Sequence, residues 1–261
     1  MSEPVLVFTH IPKAAGSTMV AIICSEFGER QILIRGRMKA DKWTAQLGEL
    51  RPGIRAIVGH SRYGVHRHVP VPCRYFTILR DPVERAISLY SYIRNTPAHP
   101  CHADVMSGRL GLVDYSRRKR DIQTKYVAGS TAAGAEVIDD AELDRARHHL
   151  EFKYEAFGLA EEFAKSVLLF TQAFGWKLRG YRSRNVTPDR IARATLAPDV
   201  LDGIRSVNEL DLQLHEFARQ LFHQRVAAQP PEFERQLEAL RRNSRIAHGV
   251  DFLKRAIGIG Q

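Results

Sequence analysis

Short apolar runs alternate with amphipathic stretches along the chain. Four of the runs have the length and apolar content of buried strands, and they cover residues 4–9, 55–60, 73–79 and 154–158. Helical periodicity is found in residues 17–25, 139–151, 160–174 and 208–222. Because strands alternate with helices, the pattern predicts an α/β fold with a central, mostly parallel sheet and helices on both faces.

Two segments, residues 96–135 and 176–188, interrupt this pattern because they are polar and rich in basic residues. We expect both to be insertions or loops over the active site, with at most short helices. Residues 231–261 are charged and are predicted to form a helical tail. No repeat or low-complexity linker separates these parts, so residues 1–261 are predicted to be a single domain.

The composition is that of an ordinary globular protein, with 44% hydrophobic and 26% charged residues. The longest apolar stretch, residues 19–24, is far shorter than the ~20 residues of a membrane span. A net charge of +10 favours an anionic ligand, although a solvated basic surface explains the same excess. The three cysteines are odd in number and widely spaced, which suits neither a disulfide framework nor a metal knuckle.

The loop after the first strand has the residues of an anion site. A lysine, Lys13, and a glycine, Gly16, separate the strand from a predicted helix that begins near Ser17 and Thr18. Backbone N–H groups and the helix dipole would both face a bound phosphate there. The loop is not a Walker A motif, in which the lysine directly precedes the hydroxyl residue, so an ordinary Mg-ATP kinase is disfavoured.

A second set of residues follows the third strand. Arg80 stands at the predicted carboxyl end of that strand, where open α/β sheets bind their ligands. Asp81 and Pro82 then mark a helix N-terminus, and Ser88 lies two turns further along the helix. Arg80 is therefore a candidate anion ligand, and the alternative is a helix-capping ion pair with Asp81.

The second strand ends at His60, which is the candidate general base. A neutral imidazole suits proton removal at neutral pH, and the strand end should direct the ring into the ligand crevice. The alternative is a structural histidine that only bonds a carbonyl. His66 and His68 follow in a loop, but no acidic or cysteine partner with ligand spacing accompanies them, so no metal is expected.

These motifs resemble those of a known family. Residues 10–18, HIPKAAGST, resemble the 5′-phosphosulfate loop of the carbohydrate sulfotransferases, in the branch that includes the heparan sulfate 2-O- and 6-O-sulfotransferases. Residues 75–90, YFTILRDPVERAISLY, resemble the 3′-phosphate signature of the same family. Residues 157–163 and 208–214 are also similar, so the resemblance extends over most of the chain.

The resemblance implies a P-loop-like, three-layer fold and an enzyme that uses 3′-phosphoadenosine 5′-phosphosulfate (PAPS) as sulfuryl donor without a metal. His60 would be the catalytic base, and Lys13 would stabilise the leaving group. The donor-binding residues implied are Lys13, Ala14, Ala15, Gly16, Ser17, Thr18, Arg80 and Ser88, with Arg184 and Thr187 in a late loop.

The acceptor implied is a hydroxyl of a glycan or glycolipid, including an acidic one. His66 and Arg118 are candidate acceptor contacts, although the basic run at 117–120 equally suits a solvated surface. The first strand begins close to Met1, whereas the animal enzymes of the family carry a membrane anchor first, so we expect a cytoplasmic, bacterial enzyme. The alternatives are a Mg-ATP kinase with an aberrant loop, a nucleic-acid-binding protein and an inactive family member.

Overall fold

The computed structural model describes residues 3–36, 40–182 and 189–246. Five strands in these ranges form one parallel sheet in the order β2-β3-β1-β4-β5. Their bounds are β1 Val5–Thr9, β2 Ile32–Arg35, β3 Ala56–Gly59, β4 Cys73–Leu79 and β5 Tyr154–Leu159.

The helices that the structure describes lie between and after these strands. Their bounds are α1 Gly16–Phe27, α2 Ala40–Gly48, α3 Pro82–Arg94, α4 His102–Met106, α5 Leu112–Arg117, α6 Ile122–Ala128, α7 Asp140–Phe152, α8 Phe163–Phe174, α9 Pro198–Val207, α10 Glu209–Ala227 and α11 Glu232–Ile246. Within the described ranges, no helix is long and apolar enough to cross a membrane.

The sheet buries both of its faces. Along β1, Val5 and Val7 face a core that includes side chains of α2, α7 and α10. Leu6 and Phe8 face the opposite core, which includes side chains of α1, α8 and α11. Successive strand residues point to opposite faces, so continuous apolar strands need helices on both sides. The predicted α/β fold is confirmed, and the sheet is wholly parallel.

The strand order places one crevice at the carboxyl edge of the sheet. β1 is central, with β3 on one side and β4 on the other. The chain leaves β1 towards β2 and β3, and it leaves β4 towards β5. Loops that depart in opposite directions open a cleft between the two strand ends, which is where such sheets bind ligands.

The predicted elements match with small shifts at their ends. The four predicted strands are present, while β2 was not anticipated from the sequence. α8 begins at Phe163, three residues later than predicted. The helix start at Asp81 is confirmed, because the Asp81 carboxylate accepts a hydrogen bond of 2.8 Å from the N–H of Glu84.

The polar segment 96–135 contains the three short helices α4, α5 and α6. Residues 121–125 of this segment are buried, and Gln123, Thr124 and Lys125 have no exposed surface. Helix α6 packs against α7 and α10. In the segment 176–188, residues 183–188 lie outside the described residues. The described part of the predicted tail forms α11, and residues 247–261 lie outside the described residues.

Candidate active site

The loop between β1 and α1 has an unusual backbone. Lys13 and Ala15 adopt left-handed φ angles of 66° and 58°. α1 then begins at Gly16, with no acidic residue in its first turn and with Ala15, which has no capping side chain, at its N-cap. Alternating left-handed residues before a helix N-terminus turn backbone N–H groups inward and form an anion-binding concavity. The loop therefore has the backbone of a phosphate or sulfate site.

His10 lies directly against this loop. A Cβ atom at Gly16 would stand 2.0 Å from the His10 ring, so only glycine fits at that position. The His10 ring also packs against the His60 ring, with 4.2 Å between their centroids and an angle of 34° between their planes. Burial, with the nearby His60 and Lys13, holds the pKa of His10 well below its usual value. A neutral His10 ring therefore supports both the loop and His60.

His60 follows the last residue of β3 and is held in one tautomer. Its Nδ1 atom lies 2.7 Å from the carbonyl oxygen of His10. Because a carbonyl can only accept, Nδ1 carries the proton and Nε2 keeps its lone pair. Burial lowers the pKa of His60, and the hydrogen bond to His10 offsets part of that effect. His60 is thus neutral at pH 7, with a basic nitrogen available.

Arg80 connects the end of β4 to the loop. Its Nη1 atom donates a hydrogen bond of 3.1 Å to the carbonyl of Lys13. Burial, together with the positive charges of Arg80 and Arg190, lowers the pKa of Lys13 to about 8. The Lys13 Nζ atom stands 4.6 Å from the centre of the Tyr92 ring. Cations therefore converge on this end of the cleft.

Arg190 is a site residue that the sequence analysis missed. It forms an ion pair with Glu84, which also lies 3.9 Å from Arg80. The pKa of the Arg80 guanidinium is lowered, mainly by burial and then by Arg190, in spite of nearby carboxylates. Arg190 comes 110 positions after Arg80 in no recognisable motif, so only the fold brings the two together. A bound anion would relieve this repulsion.

Three of the remaining predicted donor residues lie on helices α1 and α3. Ser88 is on α3 and only 5% exposed, and Ser17 and Thr18 are in the first turn of α1. Ala14 is buried in the core next to the loop. Arg184 and Thr187 lie outside the described residues.

The two candidate acceptor residues are placed differently. The Nδ1 atom of His66 lies 2.9 Å from the hydroxyl of Tyr75, and the His66 ring packs against Tyr63. Arg118 is exposed. These contacts bind His66 to an aromatic cluster, and a role of either residue in acceptor binding stays a prediction.

A basic cavity adjoins His60. It has a volume of about 250 Å³ and lies between α2 and residues 61–68. Three arginines, Arg35, Arg62 and Arg67, contribute to its wall. The Arg35 Nη1 atom lies 3.3 Å from the His60 carbonyl and 3.4 Å from the Ser61 hydroxyl, so the wall of the cavity contacts the backbone of the candidate base.

Among the residues that the structure describes, no three His, Cys, Asp or Glu side chains are grouped so that they could hold a metal ion.

Similar proteins include curated heparan-sulfate sulfotransferases. The chain is 28% identical to heparan-sulfate 6-O-sulfotransferase 3-B of Danio rerio in an alignment 196 positions long that covers 63% of this chain and 45% of the relative. It is 26% identical to human heparan-sulfate 6-O-sulfotransferase 1 in an alignment 195 positions long that covers 63% of this chain and 46% of that protein. The chain thus spans about half the length of the curated relatives it matches.

Two solved structures are similar at lower identity. One is a mouse sulfotransferase, SULT7A1, complexed with PAP, at 16% identity and a TM-score of 0.39, covering 78% of this chain and 63% of that one. The other is a sulfotransferase from Alicyclobacillus acidocaldarius, at 18% identity and a TM-score of 0.41, covering 85% of this chain and 97% of that one. The sequence model of the Sulfotransferase family matches residues 2–218. Since that match covers most of the chain, the protein belongs to the Sulfotransferase family.

Proposed function

We propose that this protein is a PAPS-dependent sulfotransferase that modifies a hydroxyl group of a carbohydrate. The observation that carries the proposal is the convergence of Lys13, Arg80 and Arg190 at the phosphate loop, beside a neutral His60 whose Nε2 atom is basic. Anion-binding groups and a general base are the two requirements of sulfuryl transfer to an alcohol. Family membership supports sulfuryl transfer over the kinase and nucleic-acid alternatives.

The donor fits the residues that are present. The left-handed loop residues and the start of α1 would bind the 5′-phosphosulfate through backbone N–H groups. Arg80 and Ser88 would bind the 3′-phosphate, and Arg190 would add a second guanidinium. When bound, PAPS supplies the sulfuryl group and leaves as adenosine 3′,5′-bisphosphate (PAP).

The chain's own residues then divide the work of an in-line displacement. His60 takes the acceptor hydroxyl proton on Nε2 while the acceptor oxygen forms its bond to sulfur. The sulfur–oxygen bond to the 5′-phosphate breaks in the same step. Lys13 stabilises the negative charge that develops on that bridging oxygen. His10 keeps the His60 tautomer fixed throughout.

The acceptor is proposed to be an acidic saccharide. The cavity next to His60 has a guanidinium-rich wall, and Arg67 lies exposed there. Guanidinium groups bind carboxylates and sulfates in bidentate geometry. The curated relatives are named as heparan-sulfate sulfotransferases, which supports the same class of acceptor. The cytoplasmic location and bacterial origin expected from the sequence stay part of this proposal.

The test is transfer of labelled sulfate from PAPS to a set of polysaccharides without added metal. The set contains heparan sulfate with free 6-hydroxyls, an unsulfated uronic-acid polymer and the neutral polymer dextran. We expect label on an acidic polymer and none on dextran. Labelling of dextran alone would contradict an acidic acceptor. If no polymer is labelled, and the protein consumes Mg-ATP in a separate reaction, sulfotransfer is contradicted.

A further inference from the structure

One buried amide side chain holds the backbone of Arg80. Gln123 has no exposed surface, and its Oε1 atom accepts a 2.9 Å hydrogen bond from the N–H of Arg80. Its Nε2 atom donates a 2.7 Å bond to the carbonyl of the same residue. Two bonds from one side chain fix the rotation of the peptides on both sides of Arg80. The direction in which the Arg80 side chain leaves β4 depends on that rotation.

Gln123 is itself fixed by two aspartates that cap each other's helices. Asp211, in the first turn of α10, accepts hydrogen bonds from the N–H groups of Gln123 and Thr124, at 3.2 and 2.7 Å. Asp121, just before α6, accepts bonds of 3.1 Å from the N–H groups of Leu210 and Asp211. Each carboxylate thus binds the N-terminus of the other helix, where negative charge is favoured.

The pair of carboxylates is buried together with two cations. Asp121 and Asp211 are 4% and 0% exposed, and Arg85 and Lys125 are fully buried beside them. A buried polar network of this kind permits few alternative arrangements, since every displaced group loses its partner. Residues 208–214, which the sequence marked both by helical periodicity and by resemblance, supply Asp211 to this network.

We propose that Gln123 is a positioning residue for the donor site: it holds Arg80 in the orientation that the 3′-phosphate requires, and the Asp121–Asp211 pair holds Gln123. The inference rests on the proposed function, because it assigns the 3′-phosphate to Arg80. A purely structural Gln123 would stabilise the fold without any preference for one phosphate of the ligand. A positioning Gln123 affects the 3′-phosphate and leaves the 5′-phosphate unchanged.

The experiment compares two ligands by calorimetry. PAP carries both phosphates, and adenosine 5′-monophosphate (AMP) lacks the 3′-phosphate. Gln123→Met removes both bonds to Arg80 at nearly constant volume, and we expect PAP to bind about tenfold more weakly while AMP is unchanged. Gln123→Asn serves as the second variant if Gln123→Met folds poorly. It keeps the amide but shortens the side chain by one methylene, so we expect a smaller loss of PAP affinity.

Ser166→Ala is the matched control. Ser166 is buried and bonds both the N–H and the carbonyl of Leu159, at 2.8 and 3.0 Å, at the end of the neighbouring strand β5. It should lower thermal stability without changing the ratio of PAP to AMP affinity. In an Arg80→Ala background, Gln123→Met should leave that ratio unchanged as well.

The outcomes separate the two proposals. If Gln123→Met weakens PAP and AMP equally, or weakens neither, the positioning role is overturned. The proposed donor site still stands in that case, provided that the wild-type protein binds PAP more tightly than AMP. A wild-type protein that does not distinguish PAP from AMP overturns the proposed function and this inference with it.

Discussion

The Nδ1 atom of His60 lies 2.7 Å from the carbonyl oxygen of His10, which is the residue that begins the phosphate loop. The same His10 ring packs against the His60 ring and fills the space that a side chain at residue 16 would need. One histidine therefore supports the base through its backbone and the loop through its ring. The geometry of the base and the geometry of the donor site are linked at this point.

Replacing His60 by alanine should remove catalysis without removing the donor. We expect kcat to fall ~10²–10⁴-fold, the usual contribution of a general base, with PAP affinity unchanged. Transfer rates and PAP calorimetry measure the two effects. His148→Ala, at an exposed position on α7, is the control and should behave as wild type. A His60→Ala enzyme with near-normal kcat would exclude His60 as the base.

The pH dependence of the reaction follows from the direction of the His60 shift. Burial lowers the pKa of His60 below 6.5, so the active, neutral form persists at lower pH. The acid limb of kcat/KM, which reports the free enzyme, should therefore have its midpoint below 6.5. A midpoint above that value would contradict the assignment.

Lys13 should make PAP binding depend on pH at the alkaline side. Its pKa is lowered to about 8, so the free protein loses this charge as the pH rises through that value. An anion favours the charged form, and binding then takes up a proton. Affinity for PAP should weaken above about pH 8, and calorimetry in buffers of different ionisation enthalpy should detect proton uptake. In Lys13→Arg, PAP affinity should no longer depend on pH in this range. A wild-type PAP affinity that stays constant across pH 8 would contradict the role of Lys13.

Gly16→Ala tests the close approach of His10. The added Cβ atom would lie 2.0 Å from the His10 ring, so the ring or the loop must move. We expect a loss of about 1–3 kcal/mol in unfolding free energy and weaker PAP binding. Gly36→Ala is the control, because nothing lies within 4 Å of the Cβ atom it would add. If Gly16→Ala binds PAP as tightly as wild type, His10 does not support the loop.

Asp211→Ala should destabilise the fold strongly. It removes the acceptor for the first N–H groups of α6 and leaves Arg85 buried without one of its two carboxylate neighbours. Breaking a buried charged network in this way costs about 3–5 kcal/mol, which urea denaturation measures. Asp202→Ala removes an exposed ion pair with Arg205 and should change stability by less than about 0.5 kcal/mol. Equal effects of the two substitutions would contradict the reciprocal capping.

The sequence was informative where chemistry and burial are local. Buried strands such as β4 are continuous apolar runs, and the Asp81-Pro82 helix start depends only on neighbouring residues. β2 was missed because it is a four-residue edge strand in which only Ile32 is fully buried. An edge strand pairs on one side and needs little apolar surface, so its pattern is weak.

The other features that the sequence analysis did not predict depend on contacts between residues that are far apart in the sequence. Gln123 and Lys125 belong to a polar segment that the sequence predicts to be an insertion over the active site. Both are fully buried, because Arg80 and the carbonyls of residues 133, 134 and 136 satisfy their hydrogen-bonding groups. Arg190 meets Arg80 and Glu84 only after the chain has folded. A local sequence pattern cannot predict contacts between partners that lie so far apart in the sequence.

The most direct test of the donor site is calorimetric titration with PAP in the absence of metal, with Mg-ATP as comparator, on wild type and Arg80→Ala. The site predicts micromolar binding of PAP, much weaker binding of Mg-ATP and a large loss of PAP affinity in the variant, since the guanidinium hydrogen-bonded to Lys13 is removed. A wild-type protein that prefers Mg-ATP, or an Arg80→Ala protein that binds PAP equally well, would contradict a PAPS site at the ends of β1 and β4.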